Sequence, residues 1–540
     1  MDILKTKRAT VFIVFLVLSL VGGVLVYYGT HWGPWTDDDS AEYFEAASNF
    51  ASGRGLVLVR ASGAVRPLSS RPPFYSVILS IGPSIGVDIF TFARWLDILL
   101  FGGFLLLLGL FTYHLLGHLL LSSILVVVFL VSPTFLSSFT SGLAEPIFFV
   151  LGISSFFLLI SYLQTGRRLA LVGSSILAGL SLLTRLSSMA VVGVGIIGLV
   201  FFDSRRLSHR FKDAVIFGLV SVLMLVPWLY TVYSGGETAG IYQFNFDSLW
   251  DRLEPVRMGF VDYGWRLLPY SAYLPELPYR VKLGLLVIIG LVPLVLLGAV
   301  LRRKRGERIM MRQDPFLQVV GIFSFFTLAY VFVFLFSYLF MHIPRALVNQ
   351  RHLSPIELGA IVALFTLGMY LIEAFHWPKW MTVLPVFLAL GLVIPNIQAG
   401  AELLSALHDE GKGHTREYWH RSELMEALTE FPQDVPLISN EVEAIILWAD
   451  HRAYRIPELW DRTYVEPFKP FGADPDDPVQ EIFRDQRAAL VLFDTVYWQF
   501  WEIYEGKADQ RWDVFVEGLY PYIEATDGTI YFYETYPGGQ

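Results

Sequence analysis

The sequence predicts a polytopic α-helical membrane protein of about eleven transmembrane helices with a small C-terminal extracytoplasmic α/β domain. Three observations predict it. The chain of 540 residues is 54% hydrophobic and 16% charged, with a mean hydropathy of +0.52; soluble domains average about 45–50% apolar and about 25% charged. Several apolar runs reach the roughly 20 residues that a helix needs to cross a bilayer. The net charge of −9 is split: residues 401–540 carry 28 Asp and Glu against 11 Lys and Arg, whereas residues 1–400 carry 21 acids against 29 bases. That asymmetry suggests a basic membrane body, 1–396, and an acidic soluble domain, 397–540. An acidic domain repels nucleic acid, which removes that partner. The absence of cysteine excludes disulfide and thiolate chemistry. No Asn-x-Ser/Thr occurs, so N-glycosylation of the chain is not expected.

The first span, about 10–29, follows the basic start "MDILKTKR". It is long for a signal-peptide core and no small-residue cleavage pattern follows, so it reads as uncleaved. Further spans are expected at about 91–112, 116–132, 144–163, 169–184, 188–202, 214–233, 281–300, 316–340, 354–373 and 380–396. The segment "RPPFYSVILSIGPSIG" (71–86) is short and broken by Pro and Gly, which suits an interfacial or re-entrant helix. Basic clusters at 5–8, 166–168, 204–212 and 302–308 all fall on one side of these spans. By the positive-inside rule that side is the cytoplasm, with the N-terminus. Loops 30–90, 133–143, 234–280 and 341–353, the turn near 185 and everything after 396 then lie outside. In the tail, helix-like "REYWHRSELMEALTEF" (416–431) alternates with strand-like "VPLISN" and "ALVLFD". "YIEATDGTIYFYE" carries the Asp-Gly hairpin signal. No internal repeat is visible.

Ionisable residues from distant parts of the chain fall at the outer level of these spans. They are Asp37, Asp38, Asp39, Arg71, Glu145, Arg185, Arg345, Arg351 and His352. Charge at membrane depth is costly and usually marks function. Carboxylates suit acid/base or metal work; arginines suit an anion such as phosphate. Structural readings compete with each. Asp39 with Glu42 fits a capping box, which explains one carboxylate and not three. Glu145 before Pro146 suits a helix start. Arg185 and Arg351 could snorkel to headgroups. Arg94 and Asp97, spaced i,i+3, are expected to pair. His114 and His118 face the cytoplasmic side and read as structural. The Phe- and Leu-rich spans read as lipid-facing and core surface.

The order of motifs resembles the GT-C superfamily of membrane glycosyltransferases that use polyprenyl-phosphate-linked sugars, such as protein O-mannosyltransferases and aminoarabinose transferases. The family opens with an outer-loop Asp, a Tyr four residues on, Ala, Gly-x-Gly, then a Pro-rich segment. Here these are Asp39, Tyr43, Ala47, Gly53 and Gly55, and "RPPFY" at 71–75. "EP" at 145–146, "LLTRLS" at 182–187 and "PW" at 227–228 are similar too. "RHLSP" at 351–355 departs from the family's Arg-Tyr by its His. The resemblance covers about residues 10–400, and the tail is similar to outer domains of some bacterial members. Of the oligosaccharyltransferase Trp-Trp-Asp-Tyr-Gly motif only "DYG" (262–264) is present, which argues against en bloc transfer to Asn.

The resemblance implies a GT-C-like membrane domain moving a sugar, with inversion, from a polyprenyl phosphate to an extracytoplasmic glycan, lipid or protein. It implies Asp39 as base, with Asp38 and Glu145 assisting. Asp37, Tyr43, Arg71, Arg185, Arg345, Arg351 and His352 would bind substrate. Asp38, Asp39 and Glu145 offer hard oxygen ligands for Mg²⁺ or Mn²⁺, a metal the chemistry does not require. No Gly-rich nucleotide loop is present, in keeping with a lipid-linked donor. The alternative is a transporter or flippase of lipid-linked sugars. Transporters gather charge near the midplane, often with internal repeats; here the charge lies at the outer level.

Overall fold

The computed structural model describes residues 2–234, 249–288, 295, 298, 314–341, 350–456, 470–474 and 477–533. The described elements begin with α1 (Asp2–Gly29), α2 (Asp38–Ala51), β1 (Val57–Val59), β2 (Val65–Pro67), α3 (Phe74–Leu79), α4 (Ile81–Ser84) and α5 (Ile89–Leu116). Then come α6 (Leu119–Leu130), α7 (Pro133–Phe139), α8 (Glu145–Thr165), α9 (Arg168–Leu182), α10 (Met189–Phe202), α11 (Leu207–Leu223), α12 (Val226–Ser234) and α13 (Leu249–Arg266). After these follow α14 (Pro315–Phe340), α15 (Gln350–Ala374), α16 (Val383–Asp409), α17 (Glu417–His420), α18 (Glu423–Thr429), β3 (Leu437–Ser439), α19 (Val442–Trp448) and β4 (Ala453–Arg455). The chain closes with α20 (Pro478–Asp485), β5 (Ala489–Phe493), α21 (Thr495–Tyr504), α22 (Ala508–Phe515), β6 (Tyr520–Ala525) and β7 (Gly528–Phe532). Two compact units result: Met1–Pro34, Ser69–Ile78 and Phe90–His408 form one, and Trp35–Leu68, Leu79–Ile89 and Asp409–Gln540 the other.

The first unit is helical because its apolar runs must satisfy their own backbone groups wherever lipid replaces water. Among the described residues six helices are long and apolar enough to cross a membrane, or up to eight if two bent pairs each count as one span. The pair α6–α7 bends by 65° and α11–α12 by 44°. Proline explains both breaks, because Pro133 opens α7 and Pro227 lies in the first turn of α12, and neither donates an N–H. Asp314 starts α14 by accepting from Phe316 N at 2.9 Å, with Pro315 next. Gly166 ends α8 in the left-handed conformation. With lipid on one side and side chains on the other, packing rather than water exclusion holds such helices together. Phe104 is the hub, with Phe135 at 5.5 Å and Phe129 at 5.9 Å between ring centroids. At Gly109 a Cβ would stand 2.3 Å from Phe15, and at Gly195 2.2 Å from Phe217. Only glycine lets α5 meet α1, and α10 meet α11, so closely.

Three helices of this unit, α8, α9 and α11, and the loop before α11 also share an ionic knot. Asp213 of α11 is fully buried and takes a short hydrogen bond from Tyr162 (2.5 Å) and ion pairs from Arg168 and from Arg205 (2.5 Å). Members of two of the basic clusters, 166–168 and 204–212, therefore neutralise a buried acid.

The second unit holds a five-stranded sheet of order β4-β3-β5-β7-β6. Strands β4, β3 and β5 run parallel, and β7 runs antiparallel to β5 and β6. All five residues of β5 are buried, as expected of a strand covered on both faces. Leu437, Val491, Phe493, Ile530 and Phe532 pack on one face; Ile438, Leu490 and Leu492 pack on the other. The period of two sorts them. Helix α2 and the β1–β2 hairpin belong to the same unit, with Ala46, Leu58 and Leu68 forming a small core.

Several expectations change. Asp37, not Asp39, caps α2: its carboxylate accepts from Ser40 N at 3.2 Å, and Asp37 N donates in return to Ser40 Oγ. A Ser three residues on closes this box in place of Glu42. Arg94 does not pair with Asp97; it donates to Thr30 Oγ1 at 3.1 Å and Tyr27 O at 2.8 Å. Both Asp97 carboxylate oxygens are buried without a hydrogen-bond partner. The loop expected at 133–143 contains α7, and the helix-like stretch 416–431 is broken into α17 and α18, Ser422 capping the second. The helix expected over 380–396 continues to Asp409. Helices α9 and α10, of 15 and 14 residues, are short for a perpendicular span of roughly 20. The basic cluster at 302–308 and half of the span expected at 281–300 lie outside the described residues.

Candidate active site

In the first unit the predicted residues that meet are Glu145, Arg185 and Arg351. Glu145 opens α8 behind the buried turn Thr140–Ala144, with Pro146 fixing the first helical φ. Arg185 sits in extended conformation between α9 and a short 3₁₀ turn, Leu186–Ser188. That corner is clasped by Ser188 Oγ donating to Ser181 O at 2.8 Å and by a Ser181–Ser188 hydroxyl contact at 3.0 Å. Arg351 is in the first turn of α15.

Both guanidiniums ion-pair with the same oxygen, Glu145 Oε1. The carboxylate side chain is 2% exposed, and those of Arg185 and Arg351 are 19% and 16% exposed. Two guanidiniums and one carboxylate thus meet at a largely buried point. Glu145 Oε2 has no hydrogen-bond partner. Tyr330 of α14 is buried within electrostatic reach of all three residues. Its ring stands 6.4 Å from Phe148 and 6.1 Å from Phe326.

Arg71 is half-buried just before α3. Phe74 N donates to Leu183 O at 3.0 Å, which holds the "RPPF" segment against the corner that carries Arg185. His352 follows Arg351 on α15, its ring 6.0 Å from that of Phe334. Arg345 lies outside the described residues. Two turns along α15 from Arg351, Glu357 is buried with both oxygens engaged. It accepts from Ser132 Oγ at 2.7 Å and Tyr263 Oη at 2.6 Å. The sequence signal for Glu357, a single acid inside the apolar run "SPIELGAIV", was available; Tyr330 gave no signal among so many aromatics.

The remaining predicted residues belong to the second unit. Asp37 is half-buried and caps α2, as described. Asp38 and Asp39 occupy its first turn, where the helix dipole favours negative charge. Asp38 is exposed, with His414 Nε2 at 3.6 Å and Arg455 Nη2 at 3.9 Å. Asp39 is half-buried, and Tyr43, one turn on, is buried. The other acids of α2 are matched by arginines: Glu42 by Arg66 at 3.3 Å and Glu45 by Arg452 at 3.2 Å. Burial raises the Glu45 carboxyl above its ordinary value, opposed by Arg452 and by the bond from Val59 N. His414 and Arg455 were not singled out in the sequence; they come from the tail, and nothing local marks them.

The metal question is decided by these neighbours. Donor atoms of Asp38, His414 and Glu443 lie within 4.8 Å of one another, close enough for one ion. Arg455, however, ion-pairs with Glu443 and stands by Asp38. A guanidinium already meets the charge a divalent cation would need, so the group does not fit Mg²⁺ or Mn²⁺. Glu145, bound by two guanidiniums, is no better placed to hold a cation.

No protein-family model matches the chain, and no curated protein matches it. Among solved structures it is similar to ArnT from Cupriavidus metallidurans bound to undecaprenyl phosphate, with 13% identity and a TM-score of 0.48 over 96% of this chain and 97% of that one. It is also similar to the archaeal oligosaccharyltransferase AglB from Archaeoglobus fulgidus, in complex with an inhibitory peptide and a dolichol-phosphate. There the identity is 12% and the TM-score 0.48, over 98% of this chain and 74% of that one. A third similarity is to the arabinofuranosyltransferase AftD from Mycobacteria, with 16% identity and a TM-score of 0.42 over 89% of this chain and 35% of that one.

Proposed function

We propose that the chain is an integral-membrane glycosyltransferase that moves a sugar from a polyprenyl phosphate to an extracytoplasmic acceptor, with inversion. The observation that carries the reading is the Glu145–Arg185–Arg351 cluster. Two guanidiniums converge on one buried carboxylate oxygen, which orients a pair of forked donors side by side. Two guanidiniums are suited to phosphate, which they meet with planar, forked donors. Glu145 holds their planes in place. The order of motifs around these residues supports the same reading, and the apolar helices suit a prenyl tail.

In the reaction Asp39 takes the proton of the acceptor hydroxyl as its oxygen attacks the anomeric carbon. The bond from that carbon to the phosphate oxygen breaks, and its electron pair leaves on the phosphate. Positive charge develops on the sugar ring in between, as in glycoside hydrolysis. Arg185 and Arg351 meet the charge that gathers on the phosphate, with Arg71, Arg345 and His352 as helpers. Asp37, Asp38 and Tyr43 border the sugar. The orientation proposed has the N-terminus in the cytoplasm and the domain 397–540 outside, following the basic clusters.

The test uses purified protein in nanodiscs with a panel of radiolabelled polyprenyl-phosphate sugars and a cell-envelope extract. Release of free polyprenyl phosphate by the wild type and not by Asp39→Asn, with lipid binding retained, is expected. Equal release by both would move the base to Asp37, Asp38 or Glu145. Donor binding without release from any sugar would sink the transferase reading.

A further inference from the structure

The second unit contains a cavity of about 360 Å³ that the chemistry above does not use. It is built on the loop between α16 and α17. Gly413 there has φ +66°, and a Cβ on it would stand 1.7 Å from Thr36 O; the loop pairs with Thr36, at the entry to α2. Two indoles fix it: Trp419 Nε1 donates to Gly413 O at 3.1 Å and Trp448 Nε1 to His414 O at 2.7 Å. Tyr418, Trp419, Glu441, Asp494 and Trp498 line it further.

The polar groups are held in place. Glu441 accepts from Thr495 Oγ1 at 2.6 Å, Thr495 accepts from Asn440 Nδ2 at 2.8 Å, and Asn440 Oδ1 accepts from Phe493 N at 3.0 Å. Trp419 packs edge-on against Phe493 at 5.2 Å. Trp498 is exposed at the rim. Burial raises both Glu441 and Asp494, and it raises the Tyr418 phenol, which Asp527, Asp494 and Glu441 push up further.

Flat rings beside a fixed carboxylate, Glu441, and a second acid, Asp494, suit a saccharide: a C–H face to lay on an aromatic and hydroxyls to donate. The volume is at the small end of the roughly 300–1,000 Å³ range of ligand pockets. Two carboxylates against Arg416 disfavour an anionic ligand. We propose that this cavity binds a neutral saccharide, the glycan end of the acceptor. The role as acceptor rests on the glycosyltransferase reading; the binding does not. His414, which lines the cavity, also stands by Asp38, so an occupied cavity borders the carboxylates that open α2.

The test is saturation-transfer NMR on the full-length protein in nanodiscs, without donor, with maltotriose, mannotriose, chitotriose and trigalacturonate. Saturable binding of at least one neutral trisaccharide is expected, and none of trigalacturonate. Trp498→Ala should weaken binding about tenfold, the size of one aromatic contact, and Trp498→Phe should restore most of it. No binding of any neutral trisaccharide would overturn the proposal. So would binding that Trp498→Ala leaves intact, or a Trp498→Ala protein that loses only its retention on phospholipid vesicles, which would make the rim a lipid contact. Arg351→Gln should bind the trisaccharide like the wild type while losing transfer. Binding without transfer in the wild type would end the transferase reading alone.

Discussion

The three charges of the buried cluster predict an asymmetry between stability and function. In Glu145→Gln two guanidiniums, each less than one-fifth exposed, lose their shared partner and face each other. Removing one partner of a buried ion pair costs about 3–5 kcal/mol. In Arg351→Gln the pair Glu145–Arg185 remains. A unit charge pair at about 4 Å is worth about 4 kcal/mol at an effective dielectric of about 20, most of it offset by desolvation. We therefore expect Arg351→Gln to cost about 1 kcal/mol, in the ordinary range for single substitutions. The functional order is the reverse in kind. Only Arg351→Gln removes a guanidinium proposed to hold the phosphate, so polyprenyl phosphate should lose its stabilising effect on it. A ligand at a hundred times its Kd stabilises by about 2.7 kcal/mol. Glu145→Gln should keep or increase that effect and still turn over poorly, since the guanidinium planes are no longer held. The assay is the thermal unfolding midpoint in nanodiscs, with and without polyprenyl phosphate, beside donor turnover. An Arg351→Gln protein less stable than Glu145→Gln, or one still stabilised by polyprenyl phosphate, would refute the phosphate role and leave the cluster structural.

Other outcomes follow from single contacts. Asp213→Asn leaves Arg205 to Asp203 and the exposed Arg168 to solvent, and through its weakened hydrogen bonds should lower stability by about 1 kcal/mol, read as a lower unfolding midpoint. Gly413→Ala places a Cβ against Thr36 O in a left-handed conformation; limited proteolysis should cut the 411–415 loop faster than in the wild type. Glu45, Glu441 and Asp494 are raised in the folded chain, with burial the first cause in each. An acid raised on folding adds stability below its unfolded pKa and loses it as pH rises through the folded value. Proteolytic resistance of residues 409–533 should therefore fall as pH rises from the acid side, and Glu45→Gln with Glu441→Gln should flatten that profile.

The helical part of the fold was legible because a bilayer leaves few options: an apolar run without polar breaks forms a helix. Its ends were less so. Pro133 and Pro227 bend two runs that hydropathy alone shows as continuous, and α16 continues to Asp409 because helix geometry does not stop at the membrane surface. The tail's strands β3 and β5 and its Asp-Gly hairpin could be read from period and turn chemistry. Strand β4 and the β1–β2 hairpin could not, since three residues carry too little pattern. The Asp37 cap was misplaced by two residues, since all three acids of "DDD" offer the same side chain and only the backbone selects one.

By itself the sequence determined the class of the molecule, its apolar helices, its acidic tail and its candidate charges: Asp37, Asp38, Asp39, Glu145, Arg185 and Arg351. Each of these follows from composition, period or the cost of charge near lipid, which are local quantities. Partnership was decided only by tertiary structure. Glu145 and Arg351 are 206 residues apart in the chain and share an ion pair. Arg94 and Asp97 are three apart and do not. Glu357 found its donors in Ser132 and Tyr263, and His414 found Asp38. Such pairs depend on which helices pack together, and no local spacing records that.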